Sequence, residues 1–262
     1  MSRLVKTVVA AAIIVGVAAF APGSAQAQKM GELKLAIGSG YGAKIAANRM
    51  FAWIVKPRLE KYSNGRIAVD LQQENKLCSE HKCIEQVKLG QIDIGSSSAG
   101  NLGAFGQAFD TNFLPYLFKT DAYMMKVINM KTGWYGKELR QRTREEMGLH
   151  LLSSISGGGF RSLENSVREV RVPKDLKGIK IRVTKSPVEF SMIQDWGATP
   201  VPYDWGQLYE GLQSGVVQGM YIPHLFTALR KFHEVTPFIT ETGGGMVTLN
   251  QVMSAKGYDS LP

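Results

Sequence analysis

The sequence predicts an α/β protein of two lobes, built from mostly parallel sheets with helices on both faces and joined by crossover strands. Three observations carry that expectation. Strand-like and helix-like segments alternate from the start as βαβαβ, the signature of a parallel sheet covered by helices. Two glycine triplets, Gly157-Gly158-Gly159 and Gly243-Gly244-Gly245, bracket a stretch with its own alternation, as when a chain leaves one lobe, builds another and returns. The 262 residues, 44% of them hydrophobic and without a low-complexity tract, suffice for two cores of ordinary size.

The elements follow in order. LKLAIG reads as a first strand, then a long helix runs from about Gly42 to Tyr62, with Ser39 as its possible cap and Asn64-Gly65 as its end. RIAVDLQQ is a second strand, HKCIEQVKLG a helix ended by Gly90, and QIDIGSSS a third strand. Ala104 to Met147 is mostly helical and apolar, broken by FLPYLF. The strand HLLSSIS reaches the first glycine triplet, which reads as a crossover or hinge, with a tight turn explaining it almost as well, and FRSL resumes the extended pattern. In LKGIKIRVTKSPVE, Ile179, Ile181 and Val183 form one face of a strand, with Lys180, Arg182 and Thr184 on the other. Ser186, Pro187 and Glu189 then read as a capping box opening a helix. TPVPYDW, the helix GQLYEGLQSG, the strand VVQGMYI and, after the second triplet, the strand MVTLNQVMSA complete the series. The expected organisation is a leader at 1–27, one lobe at 28–157 plus 245–262, and a second at 158–244.

The leader is read from Arg3 and Lys6, the apolar run VVAAAIIVGVAAFA and the ending Ala25-Gln26-Ala27, which together have the form of a cleaved secretory signal. The run is short for a membrane span, and Gln28 stands where a lipoprotein would need cysteine. An exported, periplasmic protein is therefore expected. Its formal charge of +9 falls to +7 without Arg3 and Lys6, which favours anionic partners. The basic residues are dispersed and accompany no nucleic-acid-reading motif, so nucleic acid is not an expected partner.

The two cysteines lie in LCSEHKC. With Ser79 as the helix cap, Cys78 and Cys83 occupy the two positions of a hydrophobic staple, and in an oxidising compartment a disulfide between them is expected. A metal site with His81 is rejected because only three soft ligands are available.

The chemical motifs speak mostly against an enzyme. IGSGYGA fits G-x-G-x-x-A between strand and helix, and Asp70 closes the next strand, so a dinucleotide site, a ligand-lining loop and a plain turn all remain open. GSSSAG lacks the spacing of a nucleophile elbow. His81, His150, His224 and His233 have no evident serine or cysteine partner, and no metalloprotease, phosphate or calcium motif occurs. No cofactor and no metal are expected. Arg161 and Arg182 stand out, each in an extended segment between apolar neighbours. A guanidinium fork there suits a carboxylate, yet an internal ion pair or a solvated strand edge fits the spacing as well.

The block from VPKDLKGIKIRVTKSPVEF through GLQSGVVQGMYIP resembles the central signature of solute-binding proteins of tripartite ATP-independent periplasmic (TRAP) transporters, the dicarboxylate-binding-protein-like family. CIEQVKLGQIDIG and the closing KGYDSLP extend the resemblance over the chain after its leader. It implies a periplasmic-binding-protein-like fold, no catalysis, a small carboxylate ligand and delivery to membrane permease subunits. It also implies Arg182 as the carboxylate clamp, with Arg161 assisting and Tyr41 on a pocket-lining loop. Many relatives carry asparagine where this chain has Ile222, so an aromatic or hydrophobic acid is expected, with Tyr221, Phe160 and Trp205 available as walls. Relatives continue past DSLP into long helices, so a shortened chain or a fragment is expected. An exported oxidoreductase or hydrolase using IGSGYGA, and a ligand-sensing module of a signalling system, are the alternative functions.

Overall fold

The computed structural model describes residues 31–37 and 51–261. The leader and most of the IGSGYGA loop, including Tyr41, lie outside the described residues.

Eight strands form one sheet in the order β2-β1-β3-β8-β4-β7-β5-β6. One flank is β1 (Gly31–Ile37), β2 (Ile67–Gln72) and β3 (Ile94–Ser98), all parallel. The other is β5 (Lys180–Val183), β6 (Thr199–Pro202) and β7 (Gly219–Pro223), also parallel. Two 17-residue strands, β4 (Leu149–Asn165) and β8 (Phe238–Ser254), run antiparallel through the middle and bind each flank to the other.

Each glycine triplet falls inside one of these long strands. In β4 the register against β8 shifts on both sides of Phe160, while Gly158 and Gly159 take φ of 107° and 92°, a region closed to side-chain-bearing residues. The strand bends through a bulge and continues, which excludes the tight-turn reading. Arg161 follows directly and pairs with Pro223 of β7.

Separate apolar clusters serve the flanks. Ile84, Val87, Leu102, Phe109 and Leu139 pack beside β3, whereas Leu163, Ile179, Ile181, Val183 and Ile193 pack beside β5. A further cluster, with Trp205, Leu208, Met220, Ile222 and Phe226, reaches Val247 and Leu249 of the central β8. No helix among the described residues is long and apolar enough to cross a membrane.

Local signals explain the site-bearing elements. The helix Glu80–Lys88 starts at Ser79, and the flanking Cys78 and Cys83 form a disulfide with Cα atoms 5.2 Å apart. Ser79 holds the cap position, but its side chain makes no capping hydrogen bond. The helix Pro187–Asp195 starts at Ser186, whose hydroxyl accepts from Glu189 N. The reciprocal arm of the expected capping box is absent: the Glu189 carboxylate turns away from Ser186 N and accepts from Thr184 N at 2.8 Å and from the Thr184 hydroxyl. A stronger attraction explains the departure, because the buried guanidinium of Arg161 lies 2.6 Å from the other carboxylate oxygen.

Candidate functional site

A small cavity opens where the ends of β3, β5 and β7 approach β8. Its polar lining includes Arg161, Arg182, Thr184, Glu80 and Ser98, and its apolar lining includes Trp205, Ile222, Phe226 and Val247. Such a mixture, an apolar body with a few fixed charges, is the usual construction of a small-molecule site. A second cavity shares Glu80 and Trp205 with the first and adds His81, Asn101, Lys185 and Asp204.

The adjacency of β4, β7 and β5 brings the two arginines together. Arg161 is 4% exposed and donates to Glu189 and to Tyr221 O at 3.2 Å. Its guanidinium carbon lies 5.1 Å from the centre of the Phe113 ring and 5.5 Å from that of Tyr221, while Nε has no hydrogen-bond partner among the described residues. Arg182, near the carboxyl end of β5 and 5% exposed, donates from Nε to Tyr203 O at 3.0 Å and lies 5.7 Å from the Trp205 ring centre. Glu189 sits behind both. Burial works to raise its pKa, but Arg161, then Arg182, and the Thr184 hydrogen bonds outweigh it and hold the carboxyl below its ordinary range. Two cations thus share one permanent internal anion.

Glu80, the first residue of its helix and 5% exposed, lines the same cavity. One of its oxygens, Oε2, accepts from Ser98 N at 2.8 Å, Ser98 Oγ at 2.7 Å and Asn101 Nδ2 at 2.8 Å. Beside it, burial and then the charge of Lys185 lower the pKa of His81, which keeps that ring neutral in the cleft at neutral pH.

The sequence-predicted residues distribute unevenly. Arg161, Arg182 and Tyr221 line the cavity, as does Ile222 at the position where relatives carry asparagine. Phe160 does not; it packs against the apolar cluster beside β3. Glu80 and the inward-facing Glu189 were not anticipated, because an acid in the first turn of a helix reads as ordinary capping chemistry. Nor is His224 without a partner, as its sequence suggested. Its Nε2 lies 2.7 Å from Ser162 Oγ, and its Nδ1 lies 3.8 Å from the fully buried Glu164. That trio stands apart from both cavities.

Comparison with known proteins shows the family and the fold. The profile of "Bacterial extracellular solute-binding protein, family 7" matches residues 51–262. The chain is 27% identical over 256 residues to the 2,3-diketo-L-gulonate-binding periplasmic protein YiaO of Escherichia coli, covering 98% of this chain and 75% of that one. It is 27% identical over 213 residues to the C4-dicarboxylate-binding periplasmic protein DctP of Rhodobacter capsulatus, covering 78% of this chain and 60% of that one. A TRAP periplasmic solute-binding protein of Xanthobacter autotrophicus, solved with bound β-D-galacturonate, superposes with a TM-score of 0.79 at 27% identity, covering 88% of this chain and 74% of that one. The fold is therefore the two-lobed α/β architecture of these proteins.

Proposed function

The chain belongs to bacterial extracellular solute-binding protein family 7, and on that premise we propose that it is the periplasmic receptor of a TRAP-type transporter, capturing an organic acid for membrane permease subunits. Residues 1–27 are the export signal, and the lobes, 28–157 plus 245–262 and 158–244, meet at the glycine-bent central strands. The single observation that carries this reading is the pair of buried arginines, Arg161 and Arg182, lining one cavity with a single internal carboxylate behind them.

The physical account is one of desolvation and geometry. Arg182 grips the ligand carboxylate through charged hydrogen bonds, which strengthen as the cleft excludes water. Arg161, fixed by Glu189 and Tyr221 O, contributes field and holds the wall in place. The carbon body of the ligand rests on Trp205, Ile222, Phe226 and Val247, which supports an acid with an aromatic or hydrophobic portion. Where the crossover strands already bend freely, closing of the lobes needs little free energy of its own and most of the contact energy appears as affinity. Relatives in this family are substrate-binding receptors, and the cleft supports the same role here rather than the oxidoreductase or hydrolase alternative.

Mass spectrometry of small molecules released from the purified protein tests the reading. A carboxylic acid released in stoichiometric amount is the expected result. Reproducible release of a neutral sugar or a free cation in its place contradicts it.

A further inference from the structure

We infer that Glu80 restricts this cleft to acids with a single carboxylate and a hydrogen-bond donor, a hydroxyl or an ammonium group, at their other end. The inference rests on the carboxylate-receptor reading above and names the ligand class that the receptor takes.

Three observations lead to it. First, Arg161, Arg182 and Glu80 line the same cavity, and among the described residues no ion pair joins Glu80 to either arginine. A ligand whose carboxylate is held by the arginines therefore has an acid among the groups that meet the rest of it. Second, Glu80 is fixed in place. Every hydrogen bond it receives from the described residues reaches Oε2, with Ser97 Oγ at 3.4 Å joining the Ser98 and Asn101 donors, and none of them reaches Oε1. An acidic oxygen in that position accepts from a donor and repels a second anion. Third, the disulfide between Cys78 and Cys83 spans the entry of the helix on which Glu80 is the first residue, so Glu80 cannot easily withdraw when an unsuitable ligand enters.

A like charge against a fixed, buried acid is a rejecting element. A site that also offers that acid as an acceptor discriminates more strongly than an apolar wall does. The neighbouring cavity that shares Glu80 presents Lys185 and Asp204 together, one charge of each sign, and so gives no net reward to a second carboxylate.

The test compares acids that differ only at the far end: 4-hydroxybutyrate against succinate, and (4-hydroxyphenyl)acetate against (4-carboxyphenyl)acetate, within a wider panel of matched hydroxy acids and diacids. Affinities are measured by calorimetry on the wild-type protein and on Glu80→Gln, which keeps an acceptor for Ser98 and Asn101 and turns the other arm into a donor. In the wild type the hydroxy acid is expected to bind at least about tenfold more tightly than its diacid. In Glu80→Gln that gap closes or reverses. Equal or tighter binding of the diacids by the wild-type protein overturns the inference without help from the variant, as does an unchanged gap in a folded Glu80→Gln. Failure of every carboxylate in the panel to bind overturns the receptor reading itself, and the inference with it.

Discussion

Replacement of Glu189 by glutamine isolates the charge shared by the two arginines. The side chain keeps its size and an acceptor for Thr184 N, but the ion pair to Arg161 loses its anion. Both partners are essentially excluded from water, at 4% and 1% exposure. Breaking a buried pair from one side leaves an uncompensated charge and costs about 3–5 kcal/mol. For a chain of this size that corresponds to a fall in Tm of roughly 10 °C. The same change adds net positive charge beside the cavity, so a bound carboxylate should restore more stability to Glu189→Gln than to the wild type. Thermal unfolding with and without the released acid measures both effects. The pH dependence follows from the lowered pKa of Glu189: its stabilisation is present above the unfolded carboxyl value and disappears as pH falls through the still lower folded value. A ligand-free Glu189→Gln protein that melts within about 2 °C of the wild type refutes the reasoning, since the pair then carries little of the stability assigned to it.

Further outcomes are expected elsewhere. Glu164 is fully buried, and burial raises its pKa against the Thr227 and Thr236 hydroxyls and the nearby histidines. The folded state therefore holds its proton more tightly than the unfolded state, and wild-type stability should decline relative to Glu164→Gln as pH rises from about 4.5. Parallel stability curves for the two proteins contradict this. The joint replacement Cys78→Ser and Cys83→Ser should remove about 2 kcal/mol, the loop-closure value for so short a ring, and dithiothreitol should lower the Tm of the wild type similarly. Insensitivity of Tm to both treatments counts against the staple.

The legible parts of the fold were those written locally. Alternation of apolar residues marked β5, the Ser186-Pro187 start marked the helix after it, and the staple positions of Cys78 and Cys83 marked the disulfide. Long-range pairing was not written in any one segment. Gly157-Gly158-Gly159 allowed a tight turn almost as well as a crossover, and only the ladder to β8, nearly a hundred residues away by sequence, decides between them. The candidate site divided along the same line. Arg182 stood out because a guanidinium between apolar neighbours conflicts with its surroundings. Glu80 and Glu189 were hidden because each satisfies a local role at a helix start while its carboxylate serves a partner across the fold. Phe160, expected as a further aromatic wall, packs instead against the apolar cluster beside β3, at the point where the register of β4 shifts.

Calorimetric titration of the co-purified acid into the wild-type protein and Arg182→Lys addresses the clamp most directly. A lysine keeps the charge and loses the planar fork that grips a carboxylate, so binding should weaken by at least about tenfold, near 1.4 kcal/mol, in a protein whose Tm shows it to be folded. Equal affinity in the two proteins would contradict the assignment of Arg182 as the group that holds the ligand.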